Sequence, residues 1–271
     1  MNISKLISSP LNWYGGKGSN KHKRVLKCIL SKIKASNKSI IVDVFGGSST
    51  IALNCENKVI IYNDKFDGLY NFFNVIKYDG ETLTKKIDNT LYCEREYNVC
   101  RKNWKYEKDC IEKARMFYVA TMQGMFNTTG SNSKNFKRSK KYAKKRNTTS
   151  LVGSWRNNIE VNLPRCIDKV KNIEVWNIDA LKCIDICNSE DYVLYLDPPY
   201  IKSTRSSKKD VYEHEYTDED HIKLIEKLKT IKASVILSGY QNDLYDELLK
   251  FGWSKKTNFT KKSKEVLWYK L

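Results

Sequence analysis

The stretch from Asp191 to Tyr200 constrains the fold more than any other part of the sequence. Residues 193–196 form a short apolar run that predicts a buried strand, and the run stops at Asp197-Pro-Pro-Tyr200. Two prolines cannot donate to a β-ladder, and they impose a stiff, extended turn. The sequence therefore predicts a carboxylate, rigid carbonyl groups and an aromatic ring at the carboxyl end of a core strand. That edge is where open α/β sheets bind ligands.

The residues of this turn suit chemistry on a conjugated amino group. Such a nitrogen is a poor nucleophile because its lone pair is delocalised into the ring. A carboxylate and a carbonyl group that accept its two N–H bonds would favour a pyramidal nitrogen and stabilise the positive charge that develops on attack. The ring of Tyr200 could stack on the base and hold it. The alternative is a strand end stopped by two prolines, with Asp197 as a helix cap.

The charge of the chain is strongly positive and unevenly distributed. The formal net charge is +18, which predicts a polyanionic partner unless it reflects biased base composition. No acidic residue occurs from Lys113 through Ile159, and residues 134–146, here called the basic cluster, combine lysine and arginine with aromatic rings. This combination suits phosphate contacts and base stacking. A solvated, disordered basic loop is the alternative.

Length and patterning predict one α/β domain with an insertion. The chain has 271 residues, of which 41% are hydrophobic, enough for a packed core. Strand and helix patterns alternate up to residue 76 and again from residue 173, ending in a C-terminal hairpin. Residues 77–172 break the alternation and show helical patterns at 92–104 and 108–122.

Two glycine-containing segments are candidate ligand-binding turns. Trp13-Tyr-Gly-Gly-Lys17 places a cation beside a flexible backbone, although it also fits an ordinary surface turn. Asp43-Val-Phe-Gly-Gly47 follows a predicted strand as the first strand-to-helix turn of a nucleotide-binding fold, without the Gly-x-Gly-x-x-Gly pattern of a pyrophosphate site. Asp64 ends the next predicted strand, 18 residues beyond Gly46, and could hold a ribose diol or cap the following helix.

Eight cysteines are scattered without the spacing of a zinc site, and the three histidines do not complete a zinc-binding pattern with them. We therefore expect reduced thiols, no metal and a cytoplasmic location. We also expect neither a secretory leader nor a membrane span, because no apolar run is long enough.

The ordered motifs Trp13-Tyr-Gly-Gly-Lys17, Asp43-Val-Phe-Gly-Gly47 and Asp197-Pro-Pro-Tyr200, with Asp64, resemble the Dam-like family of DNA adenine-N6 methyltransferases over nearly the whole chain. Residues 212–221, 237–240 and 265–268 resemble its phage and mobile-element branch. The chain departs from the family pattern at Tyr14, where a small residue is common, and at Gly47-Ser48, where a second Gly-x-Gly is frequent.

The resemblance implies a Rossmann-like sheet that binds S-adenosylmethionine, with residues 1–76 and 173–271 as the catalytic domain and residues 77–172 as a mostly helical target-recognition insertion. It implies catalytic roles for Lys17, Asp197, Pro198, Pro199 and Tyr200. The cofactor-binding candidates are Trp13, Tyr14, Gly15, Gly16, Lys17, Asp43, Phe45, Gly46, Asp64, Asp179, Ala180 and Asp197. The DNA-binding candidates are Asn127, Lys134, Lys137, Arg138, Lys140, Lys141, Lys144, Lys145, Arg146 and Arg156.

The expected activity is site-specific methylation of adenine N6 in duplex DNA, with the base flipped out of the stack. A methyltransferase acting on adenine or cytosine in RNA is the nearest alternative. A catalytically inactive DNA-binding relative and a nicotinamide dehydrogenase are further alternatives, and the missing third glycine disfavours the latter. Double-stranded DNA is the expected partner, with a cognate restriction endonuclease as a further candidate and a monomer or weak dimer as the assembly.

Overall fold

A computed structural model describes residues 6–18, 22–125, 135–139, 150–204, 214–259 and 265–271. Within these residues, seven strands form one sheet in the order β3-β2-β1-β4-β5-β7-β6. The strands are β1 (Ile40–Asp43), β2 (Val59–Asn63), β3 (Glu174–Trp176), β4 (Tyr192–Leu196), β5 (Ser234–Tyr240), β6 (Ser254–Lys256) and β7 (Glu265–Lys270). The first five strands in this order are parallel to one another, and β7 runs antiparallel between β5 and β6. The predicted α/β class and C-terminal hairpin are confirmed.

Nine α-helices are present in the same ranges: α1 (Lys23–Ala35), α2 (Asp67–Asp88), α3 (Glu94–Asn103), α4 (Cys110–Met122), α5 (Leu151–Asn157), α6 (Leu163–Val170), α7 (Ala180–Ile186), α8 (Asp218–Lys229) and α9 (Asp243–Asp246). Short 3-10 helices span Ala52–Asn54, Lys202–Thr204 and Glu247–Phe251, and a π-helical turn spans Asn158–Asn162. The pattern at residues 51–54 predicts an α-helix, but the structure has a single 3-10 turn. The pattern at residues 244–251 also predicts one helix, but the structure divides it between α9 and a 3-10 helix, which ends at Gly252 with φ of +80°.

Side chains on successive strand positions enter two hydrophobic clusters, one on each face of the sheet. In β4, Val193 and Tyr195 belong to the cluster with α1, α2 and α4, while Leu194 and Leu196 belong to the cluster with α7 and α8. Both faces are therefore covered by helices, as is usual for parallel strands. Burial on both faces explains why this strand appears in the sequence as a continuous apolar run rather than as an alternating one.

The helical segment between β2 and β3 packs on the same core as the sheet. Helix α2 kinks at Asp79, whose φ of −148° and ψ of 41° are not helical. The next residue, Gly80, faces α6 so closely that a Cβ there would lie 2.7 Å from Ile167. The helices predicted at 92–104 and 108–122 match α3 and α4, whereas α5 and α6 are additional. The division at residues 76 and 173 into catalytic domain and insertion stays a prediction.

One segment for which the sequence makes a prediction lies partly outside the residues that the structure describes. The polar and basic composition of residues 201–216 predicts a mobile loop, and the structure describes only residues 201–204 and 214–216 of this segment. None of the helices in the described ranges has the length and apolar content required to cross a bilayer. All eight cysteines are described, and each is a free thiol.

Candidate active site

The carboxyl ends of β1, β2 and β4 meet at one edge of the sheet because these three strands are parallel neighbours. A cavity of about 600 Å³ opens at this edge. All of the predicted catalytic and cofactor-binding residues line it: Trp13, Tyr14, Gly15, Gly16, Lys17, Asp43, Phe45, Gly46, Asp64, Asp179, Ala180, Asp197, Pro198, Pro199 and Tyr200. The fold thus brings together residues from five separate parts of the sequence.

Lys17 and Asp197 form a close ion pair inside this cavity. The ammonium nitrogen of Lys17 lies 3.0 Å from Oδ1 and 2.9 Å from Oδ2 of Asp197. The lysine side chain is only 3% exposed, and that of Asp197 is 17% exposed. Burial alone lowers the pKa of Lys17, but the carboxylates of Asp197 and Glu265 outweigh this effect and raise it. Lys17 therefore stays protonated at neutral pH.

Tyr200 is anchored by its hydroxyl group. That oxygen accepts a hydrogen bond from Lys17 at 2.7 Å and donates one to Oε2 of Glu265 at 2.7 Å. The ring packs edge to face on Tyr240, with 4.7 Å between ring centroids. Burial raises the pKa of Tyr200 well above its usual value, and the carboxylates of Asp197 and Glu265 add to the effect. The hydroxyl is therefore neutral and able to donate.

Glu265 is a cavity residue that the sequence reasoning did not single out for the site. It is the first residue of β7 and is 5% exposed. Its Oε1 lies 3.6 Å from Nζ of Lys17. The sequence does contain a signal for this residue, since Glu265 directly precedes the apolar run Val266-Leu-Trp268. A carboxyl group in a buried strand needs a polar partner, so this pattern could have identified Glu265 as a site residue.

The turn after β1 is shaped by packing beneath it. The amide of Gly46 donates to the carbonyl of Asn63 at 2.8 Å, and a Cβ at Gly46 would lie 2.2 Å from the ring of Tyr62. The hydroxyl of Tyr62 in turn donates to the carbonyl of Gly47. Only glycine fits position 46 without moving this ring, so the backbone can run directly along the cavity wall.

Asp64 accepts two backbone hydrogen bonds. The amide of Gly47 donates to Oδ2 and that of Phe66 to Oδ1, both at 2.8 Å. Burial raises the pKa of Asp64, and these two amides oppose the rise. The carboxylate therefore joins the glycine turn to the start of α2, whose N-cap residue is Phe66. Each oxygen retains a further lone pair for a ligand in the cavity, so the ribose role stays a prediction.

Asp43 is the most deeply buried carboxyl group of the cavity. It is 1% exposed, and its Oδ2 accepts from the amide of Ala52 at 3.3 Å. Its Oδ1 has no hydrogen-bond partner among the described residues. Burial raises its pKa from 3.8 to about 8, and the charges of Asp197 and Asp64 contribute in the same direction.

Asp179 and Ala180 also line the cavity. Asp179 is the N-cap of α7, where its Oδ1 accepts from the amide of Leu181 at 3.0 Å, and Lys65 bonds its Oδ2 at 3.0 Å. Burial tends to raise its pKa, but the bonds from Lys65 and Leu181 lower it overall. Asp179 is therefore an ionised acceptor at the cavity mouth.

Three of the ten DNA-binding candidates are described. Arg138 is ion-paired with Glu94 at 2.5 Å and Arg156 with Asp88 at 2.7 Å, and both arginine side chains are largely exposed. Lys137 is half-buried, and burial lowers its pKa. It lines a second cavity of about 540 Å³, and the two cavities share Trp13, Gly16, Ser48 and Thr50. Asn127, Lys134, Lys140, Lys141, Lys144, Lys145 and Arg146 lie outside the described residues.

The sheet order 3-2-1-4-5 with parallel strands, and a cavity at the carboxyl ends of β1, β2 and β4, are the features of a Rossmann-like enzyme that binds its ligands at the strand ends. With an acid followed by Pro-Pro-Tyr at the end of β4, the architecture is consistent with the class of α/β methyltransferases.

Residues 13–265 match the model of one particular family, the D12 class N6 adenine-specific DNA methyltransferases, and the chain therefore belongs to that family. The match confirms the Dam-like resemblance, enzymatic activity as a methyltransferase and DNA as the substrate. It decides against the RNA and dehydrogenase alternatives. Among curated proteins, none gives a significant match to the chain. The phage and mobile-element branch stays a prediction.

Proposed function

We propose that this protein transfers a methyl group from S-adenosylmethionine to N6 of an adenine that is flipped out of duplex DNA. The observation that carries the proposal is the position of Asp197. Its carboxylate lines the same cavity as the glycine turn after β1 and lies at the tip of a central strand. A base inside the duplex cannot reach such a recessed group, so the target must leave the stack.

The cavity suits the proposed cofactor. Its volume of about 600 Å³ lies within the range of sites for small molecules and cofactors. The cofactor carries a sulfonium charge, and Asp64 and Asp197 supply carboxyl groups around the cavity. Asp43 adds a buried oxygen without a partner among the described residues. Bound there, S-adenosylmethionine would supply an electrophilic methyl group. We assign Trp13, Phe45 and Gly46 to the wall beside it, Asp64 to its ribose and Asp179 to its adenine.

Asp197 and the carbonyl of Pro198 would accept the two N–H bonds of the target amino group. This interaction favours a pyramidal nitrogen and stabilises the positive charge that forms as the nitrogen attacks the methyl group. The new bond to nitrogen would form as the bond between the methyl carbon and the sulfonium sulfur breaks, so S-adenosylhomocysteine would leave and the nitrogen would release one proton to water. Tyr200 would stack on the base, and its hydroxyl bonds to Lys17 and Glu265 hold the ring in place. This arrangement orients the amino group before reaction and so lowers the entropic cost of reaching the transition state.

The segment from residue 113 to 159, which contains no acidic residue, would bind the DNA duplex. Phosphate contacts by the basic cluster provide affinity that depends on salt and not on base sequence. Arg138 and Arg156 are paired with Glu94 and Asp88 in the free protein. They would exchange these carboxylates for phosphates on binding, which limits the net gain from each exchange. A cognate restriction endonuclease is proposed on the family resemblance alone.

The experiment that tests the proposal measures methyl transfer from labelled S-adenosylmethionine to duplex DNA, to RNA and to DNA that lacks adenine. We expect incorporation only into adenine-containing DNA. Substituting Asp197→Ala should reduce kcat by about 100-fold or more. Asp191→Ala is the matched control, because Asp191 lies just before the same strand and is exposed.

Circular dichroism and the melting temperature would establish that both variants fold. Near-normal turnover by Asp197→Ala would refute the assigned mechanism, and incorporation into RNA alone would refute the proposed substrate. A genome-wide map of methylated adenines, with and without the gene, would identify the recognition sequence. The same map would show whether the modified sites coincide with those of a restriction enzyme.

A further inference from the structure

The ammonium group of Lys17 lies between two carboxylates rather than beside one. Its nitrogen is 2.9 Å from Oδ2 and 3.0 Å from Oδ1 of Asp197, and 3.6 Å from Oε1 of Glu265. The hydroxyl of Tyr200 bridges the two sides, since it accepts from Lys17 and donates to Oε2 of Glu265. A shift of less than one ångström toward Glu265 would therefore bring the ammonium group within hydrogen-bond distance of Oε1.

This cluster concentrates charged groups in a buried place. The side chains of Lys17 and Glu265 are 3% and 6% exposed. The carboxyl groups of Asp197 and Glu265 flank the ammonium group, and Nε2 of His22 lies 3.9 Å from Oε1 of Glu265. An ammonium group in that position has two carboxyl groups at short range, and the attraction to each is strong because the surrounding dielectric constant is low.

The close pair conflicts with the chemistry that the proposed function requires of Asp197. Lys17 bonds both oxygens of that carboxylate, so the target amino group would have to share one of them with the ammonium group. A carboxylate already bonded to an ammonium group is a weaker acceptor, and it stabilises the positive charge on the attacking nitrogen less well. The productive complex therefore needs another place for the lysine.

We propose that Glu265 is a positioning residue that receives the ammonium group of Lys17 when the target amino group binds Asp197. The inference rests on the proposed function. In this arrangement the base amino group replaces Lys17 on Asp197, and Lys17 completes its bond to Oε1 of Glu265. Oε2 of Glu265 continues to accept from Tyr200, so the stacking ring stays in place while the cation moves.

The test compares two substitutions of Glu265, one that keeps the length of the side chain and one that keeps its charge. Glu265→Gln keeps the length of the side chain and an oxygen for the Tyr200 hydroxyl but removes the charge. Glu265→Asp keeps the charge but shortens the side chain. If Glu265 acts by receiving Lys17, the Asp variant should retain more activity than the Gln variant. We expect Glu265→Gln to lose about 10- to 100-fold in kcat with little change in KM for DNA.

Asp246→Asn is the matched control. Asp246 forms an ion pair with Lys255 and accepts from Trp268 of β7, outside the active-site cavity. Its loss should lower the melting temperature while leaving kcat unchanged. A Gln variant as active as wild type, or one that retains more activity than the Asp variant, would overturn the inference.

A second measurement decides the matter if a Glu265 variant fails to fold. In a structure of the wild-type protein with S-adenosylhomocysteine and a duplex containing its site, Nζ of Lys17 should lie at hydrogen-bond distance from Glu265. Lys17 still bonded to both oxygens of Asp197 in that complex would overturn the inference but leave the proposed function intact. A wild-type protein that methylates no adenine in DNA would overturn both.

Discussion

The pH dependence of folding stability should report the ionisation of Asp43. Its pKa is raised from 3.8 to about 8, chiefly by burial. Between these two values the folded protein holds a proton that the unfolded chain has already lost. The free energy of unfolding must therefore fall as the pH rises through this window, and the fall should end above about pH 8.

The magnitude follows from the size of the pKa change. Each unit corresponds to about 1.36 kcal/mol. Between about pH 5.5 and about pH 7.5, the contribution of Asp43 to the free energy of unfolding should fall by roughly 2 to 3 kcal/mol. Asp43→Asn removes the ionisation and keeps an oxygen that can accept from the amide of Ala52. The stability of that variant should lack this part of the pH dependence.

Urea unfolding of both proteins at several pH values measures the effect. The slope of free energy against urea must stay the same for the comparison to hold. Groups common to both proteins cancel in the difference between the two stability curves. Asp246→Asn is a control, since Asp246 has a lowered pKa and is ionised in both states throughout this window. Parallel curves for wild type and Asp43→Asn would refute the reasoning.

Three further predictions concern the turn, a helix cap and the basic cluster. Gly46→Ala should cost about 1–3 kcal/mol of stability, because its Cβ would lie 2.2 Å from the ring of Tyr62. Gly18→Ala should not lower the stability, because the nearest atom to its Cβ would be 3.5 Å away. Equal melting temperatures for the Gly46→Ala and Gly18→Ala variants would contradict the packing argument. Thr217→Ala should cost about 1 kcal/mol by breaking the capping box of α8, and Thr217→Ser should restore it. A serine variant no more stable than the alanine variant would rule out the cap as the cause. Neutralising lysines of the basic cluster should weaken binding to all DNA sequences and reduce the slope of log affinity against log salt by about 0.9 for each phosphate that the protein no longer neutralises. An unchanged slope would mean that the cluster does not bind phosphates.

Elements with strong local signals could be predicted from the sequence. Helix α8 begins at Asp218 directly after its cap Thr217, because capping depends on residues only three positions apart. Strand β4 and its Asp197-Pro-Pro-Tyr200 end follow from an apolar run stopped by prolines. By contrast, α5 and α6 were missed. Helix α6 is only eight residues long, and its stability depends on burial against α2.

The sequence by itself determined which residues stand at the strand ends and in which order, since short-range patterns of apolar, proline and glycine residues suffice for that. Only the tertiary structure decided which of them meet. Lys17 and Asp197 are 180 positions apart and yet share a hydrogen bond. Glu265 reaches the same pair only because β7 inserts beside β5. Parallel strands joined through helices bring distant strand ends to one edge, and no local pattern encodes which side chains then face each other across it.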